Sequence, residues 1–169
     1  MSLAHLFIAE ITHEASNTQK MLERVPAGKF GWKPHEKSMT LKHLSAHIAN
    51  LSGWAGFVAD TEYLDLADNN LPIPEINNTE DLLQLLRRNV AASVQALESK
   101  SDKQLSEPWI LRNGARIILE MPKAAVIRGM CMSHIYHHRG QLSVYLRLLD
   151  VPVPGMYGPS IDDPVHPED

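Results

Sequence analysis

Four stretches of this chain place apolar residues three and four positions apart, and Pro- and Gly-rich segments separate them. That spacing puts the apolar side chains on one face of a helix, so the chain must fold by laying helices against one another. In the first stretch, residues 2–24, Leu3, Phe7, Ile11, Thr18 and Leu22 mark the face, and Pro26 and Gly28 end it. The second is capped by Thr40 and carries Leu41, Leu44, Ile48, Leu51, Ala55 and Val58, ending near Asp60. The third follows Asn78 or Thr79, has Asp81 in its first turn, and runs through Leu82, Leu86, Val90, Val94 and Leu97 to about Lys100. The fourth opens at Pro122, which suits a first helical turn, and stops at Leu149, before Pro152 and Pro154.

Between the second and third helices lies a long linker with Asn69-Asn70, Pro72 and Pro74. Residues 101–106 read as one further helical turn. Before the fourth helix, two apolar runs flank Asn113-Gly114, a pair that tolerates positive φ, so a short hairpin or extended loop is expected there. The fold class is therefore all-α, a four-helix bundle with that hairpin or loop before its last helix. Residues 1–150 form the single bundle domain. Residues 151–169 hold five of the eleven prolines and form a tail that packs on the domain or is partly disordered.

At 169 residues, the chain is long enough to bury about two-thirds of the surface it exposes when unfolded. Its net charge is −4 and no basic block appears, which speaks against a nucleic-acid partner. No apolar run reaches the roughly 18 residues that suggest a membrane span, and the N-terminus lacks the basic start of a signal peptide. One cysteine, Cys131, cannot form an intrachain disulfide, in keeping with a reducing compartment. A cytoplasmic, non-membrane protein is expected.

Of nine histidines, six fall within 35–47 and 134–138. His134 and His138 are four apart on the fourth helix, so both can aim at one point, and they occupy positions on the buried stripe. A lone core histidine is more often satisfied by a carbonyl than by a metal. Two adjacent buried rings each need a donor and an acceptor partner, and a divalent cation resolves both at once. The second helix offers His43 and His47; His47 borders the buried stripe and is favoured as third ligand, while His43 lies nearer the surface edge. Three imidazoles leave an open position, as in a catalytic rather than a structural centre. Gln141, one turn beyond His138, is a candidate partner for its second ring nitrogen, and Tyr145 is a pocket candidate on the same face. His137 points away from His134. Ile135 follows His134 where HEXXH proteases carry a glutamate, so that hydrolytic base is missing. A Cys131–His134 nucleophilic pair is the weaker reading, because cysteine is commonly core packing.

The stretch FGWKPHEKSMTLKHLSAHIA from Phe30 to Ala49, the later His134-xxx-His138-Arg-Gly-Gln141, and the tail VPGMYGPS from Val153 to Ser160 together resemble the DinB-like family. The resemblance covers nearly the whole chain. It implies an up-up-down-down bundle whose His47, His134 and His138 hold a divalent metal, variously Zn, Ni or Fe. It also implies a homodimer in many members. Some members use a low-molecular-weight thiol such as bacillithiol or mycothiol, which suggests a thiol S-transferase-like enzyme acting on a small electrophilic substrate. The alternatives are a metal-dependent hydrolase, working through water at the open position, and a non-catalytic, dimeric metal-binding module of the stress response.

Overall fold

The computed structural model describes residues 2–68 and 74–164. Asn69-Asn70 and Pro72 of the expected linker, and His166 with the rest of the chain's last five positions, lie outside them. Helix α1 spans Leu3–Leu22 and starts where the Ser2 side chain accepts from the His5 amide. Helix α2, Leu41–Leu51, is capped by Thr40, whose side chain accepts from the His43 amide. The second predicted helix is broken in two. Between α2 and α3, Trp54–Asp60, the chain turns at Ser52-Gly53. Helix α4, Thr79–Glu98, begins with a reciprocal capping box between Asn78 and Asp81. Helix α5 is the short turn Asp102–Leu105.

Two side chains of α4 satisfy the backbone groups that the α2–α3 break exposes. Asn89 Nδ2 donates to the Ala49 carbonyl at 3.0 Å, and Ser93 Oγ donates to the Ser52 carbonyl at 2.7 Å and accepts from the Gly56 amide at 3.1 Å. This polar seam needs close approach: a Cβ on Gly56 would stand 2.9 Å from the Ser93 Cα. Apolar periodicity runs straight through 51, 55 and 58 and so hides the break.

The all-α expectation is corrected by a three-stranded sheet in the order β1-β2-β3, beside an otherwise mostly helical fold. Strands β2, Pro108–Asn113, and β3, Arg116–Pro122, form the antiparallel hairpin. Their turn is Gly114-Ala115, one position later than the Asn-Gly pair suggests, with Gly114 alone taking positive φ, at 57°. Strand β1, Tyr63–Asp65, pairs parallel with β2 through residues 110–112. Three residues are too few to leave a period in the sequence, and the pairing is made only once the linker has been brought back to the hairpin. Trp109 turns inward from β2, fully buried, and its ring N–H donates to Thr61 Oγ1 at 3.0 Å.

The final helical region has three parts: α6, Lys123–Val126, a π-helical stretch, Ile127–Met132, and α7, Ser133–Leu148. In the π stretch amides reach back five residues, as Ser133 N–H does to the Arg128 carbonyl, and the buried Ile127 and Met132 are five apart. Helix α4 packs against α1, α2 and α3, and α7 packs against α2 and α1. The core divides into two clusters. One joins Phe7, Ile11, Val58, Leu97, Trp109 and Cys131 at the sheet end. The other joins Leu22, Leu44, Ile48, Leu86, Leu142 and Leu146, with Val151, Val153 and Met156 of the tail packed against it.

Candidate metal centre

Helix α2 presents His47 and α7 presents His134 and His138, and each ring offers a nitrogen within 4.8 Å of the other two. Ring centroids are 5.1 Å apart for His47 and His134, 4.8 Å for His47 and His138, and 4.6 Å for His134 and His138. The four-residue spacing on α7 stacks two rings one turn apart, and the packing of α2 on α7 adds the third. His138 is buried, whereas His47 and His134 are partly exposed, so the cluster sits at the edge of the core.

Hydrogen bonding sets which nitrogen His138 has to offer. His138 Nδ1 meets Gln141 Oε1 at 2.7 Å. That oxygen can only accept, so Nδ1 carries the proton and Nε2 keeps its lone pair. The Met130 backbone, within the π stretch, lies on the other side of the His134 ring and opposes the lowering of its pKa. His134 turns its Nε2 toward His138. The two Nε2 atoms face each other at 2.8 Å, a hydrogen bond in which His138 Nε2 accepts and His134 Nε2–H donates; a cation that displaces that one proton takes both nitrogens. A soft-to-borderline divalent cation fits this donor set: it takes imidazole nitrogens, and nitrogen ligands at about 2.0–2.1 Å bridge rings that stand this far apart.

Electrostatics favours neutral, metal-ready rings. Burial, followed by the nearby His138, His134 and His43, lowers the His47 pKa to about 4. Burial and then His138 also lower that of His134, against the opposing effect of the Met130 carbonyl. Protons therefore compete weakly for these nitrogens at neutral pH.

His43 and His137 are exposed and stand outside the cluster. Tyr145 is half-buried: its hydroxyl donates to the Met39 carbonyl at 3.3 Å, and the Trp32 ring meets it edge-on at 5.6 Å. It thus braces the 26–40 loop one turn beyond Gln141. Burial pushes the Cys131 thiol up to about 12, which removes it as a nucleophile near neutral pH.

The sequence reading missed a buried polar network behind the histidines. Arg139 Nη2 pairs with Glu14 Oε2 at 2.5 Å, and Arg139 Nη1 donates to Thr18 Oγ1 at 3.1 Å and to the Glu14 carbonyl at 3.2 Å. Arg139 also donates to the Tyr157 hydroxyl, which in turn donates to Glu14 Oε2 at 2.8 Å. The available signal was Glu14 itself, a charge on the same face as Ile11 and Thr18.

The model of the DinB family matches residues 1–169. The uncharacterized protein YrdA of Bacillus subtilis (strain 168) is 25% identical over 158 residues, covering 93% of this chain and 89% of YrdA. Among solved structures, the DinB-like protein YjoA of Bacillus subtilis superposes with a TM-score of 0.68 at 20% identity, covering 95% of this chain and 99% of YjoA. A DinB-like protein of Bacillus cereus ATCC 10987 also gives 0.68, at 23% identity, covering 89% of this chain and 95% of its own. A histidine-to-alanine mutant of the mycothiol-dependent maleylpyruvate isomerase gives 0.51 at 14% identity, covering 91% of this chain and 65% of that one. At these identities the solved structures speak for the fold.

Proposed function

This chain belongs to the DinB family, and from that premise we propose that it is a metal-dependent enzyme of thiol S-transferase type, acting on small electrophiles. The observation that carries the reading is the convergence of His47, His134 and His138, with the Nε2 atoms of His134 and His138 turned on each other. A divalent cation held there would supply Lewis-acid charge that lowers the pKa of a small thiol, favouring thiolate at neutral pH. The chain's residues do the holding and orienting. His47 and His134 offer neutral rings at the partly exposed side of the cluster, where a small molecule can approach. His138 anchors the buried side, steadied by Gln141. Trp32 and Tyr145 make an aromatic wall one helical turn further on. A thiol co-substrate is in keeping with the fold shared with an isomerase whose name says it depends on mycothiol.

The test is direct. Protein loaded with zinc, nickel or iron is offered small thiols with an epoxide or alkyl halide, and thiol consumption is followed with and without metal. Consumption only with metal supports the proposal. A blank across the thiol set with one metal bound per chain counts against it. Turnover that proceeds without thiol would point to hydrolysis, which shares the three histidines.

A further inference from the structure

The His138 ring has two nitrogens, and only one can face the cluster productively. A neutral imidazole is free to carry its proton on either, and the Nε2–H form would aim a proton at the nitrogen of His134 and block coordination. We infer that the Gln141 side-chain oxygen, 2.7 Å from His138 Nδ1, is a positioning group that selects the tautomer able to bind metal. The inference rests on the proposed metal centre and adds how the centre is prepared before any ion arrives.

Three observations support it. Gln141 lies three residues after His138, so the helix itself delivers the amide to the ring without any help from a distant element. The Gln141 residue is exposed while the His138 residue is buried, so the contact is made at the rim, and the amide is not needed as core packing. The opposite edge of the His138 ring meets the cluster, its Nε2 lying 2.8 Å from His134 Nε2, so the nitrogen that Gln141 engages is the one turned away from the other ligands. Both rings are thus oriented with Nε2 inward, 2.8 Å apart. Partners behind metal-bound histidines raise affinity by fixing tautomer and ring orientation and by making the ligand nitrogen more basic.

The experiment reads the tautomer in metal-free protein and the zinc affinity separately. Nitrogen-15 NMR of the histidine side chains should find His138 as the Nδ1–H form. In Gln141→Leu, which keeps the bulk but not the acceptor, that form should lose its dominance and zinc should bind about 10–100-fold more weakly. Gln141→Glu restores an acceptor at the same place and should restore both the Nδ1–H form and zinc affinity to within a few-fold. If Gln141→Leu keeps both the tautomer and the affinity, the inference is overturned. Weaker zinc binding with an unchanged tautomer overturns it too, because the amide would then act by another route. Should the wild-type protein bind no zinc, the metal centre fails, yet the NMR comparison still decides what Gln141 does to His138. Should zinc bind with no thiol chemistry, only the enzymatic reading falls.

Discussion

Arg139 grips Glu14 across 125 positions of sequence, joining the last helix to the first through a pair that is almost wholly buried. Desolvating two such charges is costly, and the four contacts around the guanidinium offset that cost. Removing the arginine alone strands a buried carboxylate. Arg139→Ala should therefore destabilise the fold by about 3–5 kcal/mol in urea unfolding. Tyr157→Phe, which removes one hydroxyl from the network, should cost about 1 kcal/mol.

Metal binding should separate the histidines cleanly. His47→Ala, His134→Ala and His138→Ala each delete one of three donors and should weaken zinc binding by more than about 100-fold in calorimetric titration. The His137 residue is exposed and outside the cluster, and His137→Ala should leave affinity within a few-fold. Equal losses from His137→Ala and His138→Ala would mean that the cluster is not the binding site.

The pH response has a definite sign. His47 titrates near its ordinary value of 6.5 when unfolded and at about 4 when folded. Between those values the unfolded chain binds a proton that the folded, metal-free protein refuses, so stability falls as pH drops through that window. Above 6.5 this group contributes no slope. His134 shifts in the same direction. Urea midpoints of metal-free protein should fall between about pH 7 and pH 4.5, and less so in His47→Ala. Because protons compete less for His47 and His134 than for ordinary imidazoles, zinc affinity should fall less steeply on acidification than that of a free three-imidazole site.

Cys131 should be silent. Its thiol is buried and pushed up to about 12, and it borders an apolar cavity of about 20 Å³, room for about one water rather than a substrate. Iodoacetamide should label it only after denaturation, and Cys131→Ala should keep any metal-dependent turnover. Native labelling at neutral pH would contradict that placement.

Gly56 is predicted to resist even a methyl group. An added Cβ would sit 2.9 Å from the Ser93 Cα, a backbone atom that cannot swing aside. Gly56→Ala should cost about 1–3 kcal/mol by forcing α3 from α4. Gly28→Ala, where no atom stands within 4 Å, serves as the neutral control.

The parts of this molecule that could be read from its sequence are those that repeat or that lie close along the chain. Apolar spacing placed α1 and α4 almost to the residue, and Thr40 and Asn78 cap where their side chains suggested. His134 and His138 were legible as a pair because one helix turn joins them, and His47 because it borders a stripe already drawn. What escaped depends on distant partners. The break at Ser52-Gly53 exists because Asn89 and Ser93 wait on another helix. Strand β1 exists because β2 is there to receive it. Arg139 reads as a surface residue until Glu14 is known to face it.

The π stretch lets one rod serve two masters. A continuous α-helix keeps a single angular phase, so the face that meets the sheet end would dictate where the imidazoles point. One surplus residue within 127–132 resets that phase by roughly 100°. Val126 and Ile127 can then suit the tryptophan-centred cluster while His138 and Leu142 answer to α2. Shortening the stretch by a single residue would leave every ligand in the sequence and aim the pair at the wrong neighbour.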